Sequence, residues 1–214
     1  TLGTVARERT GEDVFTVSLD PARSTGVEYL KGSLYWHFDG TMQPTPILSS
    51  ILCSKVVSPP GTGNTEFAST YAAYDALTEE KKAELEGLTA MHSAWNTLFY
   101  YDPEPDQAKL EMFMDVGDIE LPLVWTHKSG RKSLVLGATA RYIVGMDDKE
   151  SARLLNGLRE WATSEPFRYV HQWSVGDMVM WDNTGTLHRA TPYPLESGRE
   201  FRRTKLEGEE PINA

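Results

Sequence analysis

Short extended runs, each closed by a turn signal, constrain this chain more than any other feature. Residues 14–19 read as strand-like, and residues 45–57, rich in Ile, Leu, Val and Ser, read as one long strand. Pro59-Pro60-Gly61-Thr62-Gly63-Asn64 forces a loop, after which residues 65–69 are extended. Further extended segments run to Thr126, over 133–137 beyond a Ser129-Gly130 turn, over 178–181 as a buried strand beyond Gly176-Asp177, and over 201–206. Two helices interrupt this pattern. Thr78 with Glu79 and Glu80 offers a hydroxyl cap and an acidic first turn, and Leu85, Leu88 and His92 follow at helical spacing. Asp147 with Glu150 opens the second, whose apolar stripe is Leu154, Leu155, Leu158 and Trp161. Residues 95–120 hold aromatics and then Asp102-Pro103-Glu104-Pro105-Asp106, read as an exposed loop. The pattern predicts a mainly β chain with inserted helices, a sandwich or a barrel.

At 214 residues the chain suits one domain, 1–214. A formal charge of −10 argues against nucleic acid, since phosphate binding wants a basic face. No apolar run is long enough to span a bilayer, so no membrane is expected, and the cytoplasm is the expected location. The single cysteine, Cys53, excludes an intramolecular disulfide framework and a cysteine-rich zinc site; its apolar run predicts buried packing.

The chemistry centres on Tyr35-Trp36-His37-Phe38-Asp39-Gly40. On an extended strand, residues two apart project to the same side, so His37 and Asp39 present an imidazole and a carboxylate together. With a second, distant histidine they would form a two-histidine, one-carboxylate facial triad. His92 and His171 suit packing, and His127, before a Lys-Ser-Gly-Arg turn, suits a structural or an exposed position. His188 stands apart, following Trp181-Asp182-Asn183 and preceding Arg189, with Arg199, Arg202 and Arg203 downstream.

Taken together, Trp36-His37-Phe38-Asp39, Gly63-Asn64-Thr65-Glu66-Phe67-Ala68, Ala72-Ala73-Tyr74-Asp75-Ala76-Leu77, Trp181-Asp182-Asn183 with His188-Arg189-Ala190, and Arg199 with Arg203 resemble the iron(II)/2-oxoglutarate dioxygenases of the TauD/TfdA family. The resemblance runs from residue 32 to residue 211. It implies a double-stranded β-helix, the cupin-like jelly roll. It implies His37, Asp39 and His188 as ligands of Fe(II), and Arg199 and Thr65 as partners of the distal carboxylate of 2-oxoglutarate. Arg203 would lie near the cosubstrate's other carboxylate and an anionic substrate. Arg199 and Arg203, at even spacing, should face inward and Arg202 outward.

The same resemblance places Ser33 and Met42 at the substrate pocket, where the taurine-specific branch carries asparagine and a bulkier residue. The wording of residues 65–77 is nearer the aryloxyalkanoate-cleaving branch. Trp36, Phe38 and Met42 could lend the substrate apolar surface. His37 stands closer to the start of the chain than the first ligand does in the family, so the N-terminal part is expected to be shortened or not represented. The implied activity uses O2 to decarboxylate 2-oxoglutarate to succinate and CO2 while hydroxylating a small anionic organic molecule, with C–O or C–S cleavage where the carbon bears a heteroatom. A homo-oligomer is compatible with this reading. Halogenation is disfavoured because Asp39 fills the position a halide would need. A non-catalytic jelly-roll binding module would have no need of the ligand set, and a zinc hydrolase would leave Arg199 and Thr65 unexplained.

Overall fold

A computed structural model describes residues 3–7, 11–24 and 26–213; the remaining positions, parts of the polar N-terminal stretch and the last residue of the expected domain, lie outside the described residues. In chain order the elements are β1 (Phe15–Val17), α1 (Val27–Lys31), β2 (Ser49–Val56), β3 (Thr65–Ser69), α2 (Thr70–Asp75) and α3 (Glu79–Leu85). There follow β4 (Thr89–Ser93), α4 (Ala94–Leu98), α5 (Gln107–Met114), β5 (Asp118–Pro122), β6 (Val124–Thr126), β7 (Lys132–Leu134) and β8 (Ala140–Ile143). The chain ends with α6 (Asp148–Ala162), β9 (Arg168–His171), β10 (Met178–Asp182), β11 (Thr186–Ala190) and β12 (Glu200–Leu206).

The expected jelly roll is what forms. One sheet runs β1-β12-β2-β10 and a second β11-β3-β9, all antiparallel. Leu52, Trp181 and Phe201 from the first sheet meet Phe67 from the second in a small core between them. A larger core lies on the other side of the second sheet, where Leu187 packs with Ala90, Leu121, Leu155 and Leu158 from the sheet β5-β4-β8 and helix α6. Burying each such large side chain contributes about 1.5–3 kcal/mol. No helix among the described residues is long and apolar enough to cross a membrane.

Several local expectations need correction. Helix α3 is capped by Thr78, whose hydroxyl accepts from Lys81 N, but it ends at Leu85. Gly87 takes φ +76°, which breaks the helix, and His92 falls on β4, where Ala90 and His92 turn inward with the two-residue period of a strand. Residues 95–120 contain α4 and α5 beside the expected loop, with Asp106 capping α5 through Lys109 N. Strand β10 is not buried throughout: Met178 is 71% exposed and Trp181 only 8%. Cys53 is half-buried, on the outer phase of β2. In α6, Asp147 accepts from Lys149 N and Glu150 N as expected, but Ser151 and Ala162 complete the buried stripe and Trp161 lies at its rim.

Of the two expected roles for His127, the structural one holds and the exposed one does not. The ring stacks on Trp125, its Nδ1 donates to Glu210 Oε1 at 2.8 Å, and its Nε2 lies 2.8 Å from Ser133 Oγ. The order serine, histidine, glutamate is that of a nucleophilic triad, but Ser133 is 1% exposed and His127 4%, so no substrate reaches them. The cluster instead ties the C-terminal segment to the β6–β7 hairpin, helped by Lys128 N donating to Glu210 Oε2. Burial pushes the Glu210 carboxyl up, yet the hydrogen bonds from Lys128 N and His127 and their charges outweigh it and hold it below the ordinary 4.5. A lowered carboxylate stabilises the fold above its unfolded-state pKa and loses that contribution as pH falls. Glu210→Gln is therefore expected to be less stable than wild type at pH 7 and to lose less stability between pH 5 and pH 3, read from urea unfolding midpoints. Parallel acid limbs would show that Glu210 carries no such linkage.

Candidate metal centre

His37 and His188 meet as a two-residue antiparallel bridge: His37 N donates to His188 O at 3.1 Å and His188 N to His37 O at 2.8 Å. Residues that exchange both bonds sit directly opposite and project to the same face. Their rings accordingly lie 4.2 Å apart. The sequence suggests a strand at His37; the residue lies in none, and this single bridge gives it the same orientation. Trp36, Phe38 and Leu187 turn the opposite way into the larger core, so Trp36 and Phe38 offer no surface on the histidine side.

Asp39 is brought round by a turn. Gly40 has φ +83°, and a Cβ there would lie 2.8 Å from Ile47 N. Asn183, fully buried, clamps the turn: its Oδ1 accepts from Asp39 N at 2.8 Å, and its Nδ2 donates to Asp39 O at 2.6 Å and Ile47 O at 2.9 Å. The Asp39 carboxylate takes a hydrogen bond from Ser50 Oγ at Oδ2, 2.6 Å, and faces Arg203 Nη1 from Oδ1 at 3.6 Å. Donor atoms of His37, Asp39 and His188 all lie within 4.8 Å of one another.

The protonation states suit a cation. Burial pushes His37 below its ordinary pKa, and burial together with the nearby His37 pushes His188 down to about 3, so both rings are neutral near pH 7. Burial alone would raise Asp39, but Arg203 and the two histidines hold it well below the usual carboxylate range. The His37 Nδ1–H donates to Tyr35 O at 2.8 Å, which leaves the Nε2 lone pair free. Among the described residues His188 Nδ1 is buried with no hydrogen-bond partner. Two neutral imidazoles and one carboxylate fit a borderline divalent ion such as Fe(II).

Arg199 is 3% exposed and lies over Phe201 at 3.8 Å, with Nη2 donating to Gly63 O at 3.2 Å. Burial lowers its pKa to about 10, which keeps it charged at neutral pH, and its Nε has no partner among the described residues. Trp173 links this arginine to Thr65: the indole packs on Phe201 at 4.7 Å and donates to Thr65 Oγ1 at 2.9 Å. Arg199 and Thr65 are thus linked through Gly63 and Trp173 rather than by a direct hydrogen bond. Arg203 faces inward and Arg202 outward, as expected. Ser33 donates to Leu30 O at 2.6 Å and Met42 is half-buried; neither belongs to the histidine–aspartate cluster. His92 is a core residue, bonded to Thr139 Oγ1, and His171 pairs with Asp177. A cavity of about 310 Å³ between α4 and α6 is lined by Asn96, Tyr100, Leu136, Arg141 and Arg159, and by none of the three clustered residues.

Ser50 and Asn183 are the residues that sequence reasoning passed over. Ser50 shares the inward phase of β2 with Leu52, but Ser49, Ser54 and Lys55 lie on the same strand, so nothing in the sequence singled it out. Asn183 carried no signal beyond its place in a recognisable block.

Fold and cluster together define a class, a jelly roll holding a two-histidine, one-carboxylate set. The chain belongs to the TauD/TfdA family: the family profile described as "Taurine catabolism dioxygenase TauD, TfdA family" matches residues 3–205. It is 44% identical over 170 residues to the alpha-ketoglutarate-dependent 2,4-dichlorophenoxyacetate dioxygenase of Cupriavidus pinatubonensis, covering 78% of this chain and 58% of that protein. It is 37% identical over 188 residues to the (S)-phenoxypropionate/alpha-ketoglutarate-dioxygenase of Sphingobium herbicidovorans, covering 86% and 65%. Among solved structures, AAD-2 in complex with Mn(II) and N-oxalylglycine superposes with a TM-score of 0.77 at 40% identity, covering 85% of this chain and 71% of that one. The chain thus spans less than two thirds of the length of these two curated relatives.

The turn at Gly40 gives a direct check on how Asp39 is placed. Gly40→Ala is expected to cost at least about 1–2 kcal/mol, the penalty of a left-handed backbone on an L-residue, and to weaken Co(II) binding. Urea unfolding and equilibrium dialysis read the two effects. Wild-type values in both would mean the turn does not depend on glycine.

Proposed function

We propose that this chain is the catalytic domain, residues 1–214, of an Fe(II)- and 2-oxoglutarate-dependent dioxygenase that hydroxylates a small anionic organic acid. The observation that carries the reading is the His37/Asp39/His188 cluster, with Asp39 and His188 buried and His37 half-buried, set in the same jelly roll as a buried, charged Arg199 with an unspent Nε. His37, His188 and Asp39 would hold the iron on one face, which leaves positions for a bidentate 2-oxo acid and O2. Bound iron and 2-oxoglutarate supply the oxidising chemistry, with succinate and CO2 as the cosubstrate's products.

The protein's own part is binding and electrostatics. Arg199 offers the distal carboxylate of 2-oxoglutarate a charge-assisted hydrogen bond, and the Thr65 hydroxyl, which accepts from Trp173, still has its proton to donate. Arg203 supplies positive charge beside Asp39, and Ser33 and Met42 are the proposed substrate-side residues from the family pattern. Relatives named for 2,4-dichlorophenoxyacetate and (S)-phenoxypropionate support an aryloxyalkanoic acid as substrate, with hydroxylation next to the ether oxygen and collapse of the C–O bond.

Succinate formation tests the reading. Aryloxyalkanoic acids are expected to drive it in the presence of Fe(II), 2-oxoglutarate and O2, and neutral aryl ethers are not. Arg199→Ala is expected to raise the 2-oxoglutarate requirement roughly 10- to 150-fold, the equivalent of losing about 1.5–3 kcal/mol of charged hydrogen bonding, with Fe(II) binding nearly unchanged. Unchanged cosubstrate dependence would mean another residue holds the carboxylate.

A further inference from the structure

Ser50, the second residue of β2, is paired to Trp181 on one side and Lys205 on the other, and is fully buried. A buried hydroxyl needs an acceptor. Among the described residues the acceptor of Ser50 is Asp39 Oδ2, at 2.6 Å, the short distance of an O–H donor to a charged oxygen. The backbone of Asp39 is fixed separately by Asn183, reaching in from the end of β10. Backbone and side chain of the aspartate are therefore held by different elements.

We propose that Ser50 is a positioning residue for the metal, keeping Asp39 a single-oxygen donor; this rests on the metal-site reading above. A carboxylate with both oxygens free can rotate or chelate an ion, and chelation would take a coordination position that the facial arrangement needs open. With Oδ2 bound to the Ser50 hydroxyl at 2.6 Å, Oδ1, which faces Arg203 Nη1 at a looser 3.6 Å, is the oxygen more open to the ion. The hydroxyl also holds the carboxylate plane, so the donor is in place before the ion arrives.

The neighbouring Ser49 provides the control. It is 5% exposed and donates to Trp181 O at 2.8 Å, a buried hydroxyl bond with no contact to Asp39. Co(II) serves as the probe, its affinity read by equilibrium dialysis and its coordination by the visible spectrum. Ser50→Ala is expected to weaken Co(II) roughly 10- to 100-fold, the usual effect of removing an outer hydrogen bond to a metal ligand, and to change the spectrum as Asp39 is released. Ser49→Ala should lower the unfolding midpoint comparably and leave affinity and spectrum at wild-type values. Ser50→Cys, close in volume but a weak donor, should behave like Ser50→Ala and covers the case in which alanine impairs folding. Wild-type affinity and spectrum in a folded Ser50 variant would overturn the positioning role alone. Failure of wild type itself to bind Co(II) would overturn the metal-site reading and this inference with it.

Discussion

The site depends on one reciprocal pair of backbone hydrogen bonds, between His37 and His188. Those bonds join a segment that belongs to no strand to the edge of the second sheet, and they alone set the two imidazoles on one face. What lies behind the bridge keeps it in register. Trp36 is buried in the larger core, the Arg189 guanidinium stacks over its ring at 4.6 Å, and Arg189 Nε donates to Glu66 at 2.6 Å from the partner strand. A slip of one residue would turn both histidines into that core and bring Trp36 and Leu187 out. Packing on the far face therefore specifies the chemistry on the near face.

Electrostatics then decides what the near face can hold. Three titratable side chains drawn largely out of water together would be costly unless their charges were matched. Asp39 and Arg203, 3.6 Å apart, attract by roughly 5 kcal/mol at an effective dielectric of about 20, a gain that desolvation of both groups offsets in part. The two imidazoles stay neutral because nothing nearby rewards their protonation enough to repay burial. The result is a set of donors ready for a divalent ion without a proton to displace. Arg199 is a different case: it is held by aromatic faces, a hydrogen bond with the Tyr193 side chain and one carbonyl, so its charge remains available to an incoming carboxylate.

Much of this was legible in the chain because it is local or periodic. Residues 65–69 form a strand with the expected limits, Thr78 and Asp147 cap their helices, and Arg199 and Arg203 are both buried as expected, although Arg199 precedes β12 and the register shifts at Glu200/Phe201. The errors have physical causes. Leu85, Leu88 and His92 match a helical period by coincidence, and the left-handed Gly87 overrides it. Residues 178–181 are apolar enough for a core strand, but β10 is a sheet edge and leaves Met178 and Met180 in solvent. Ser50 and Asn183 act through contacts to Asp39 that are 11 and 144 positions away in sequence, and no local pattern announces such contacts.

The central claim is that one cation is held jointly by His37, Asp39 and His188. Crystals grown with Mn(II) and measured at the manganese absorption edge test it most directly. The account predicts a single anomalous peak within bonding distance of both histidine rings and one Asp39 oxygen. A peak elsewhere, or manganese bound without His188, would contradict it.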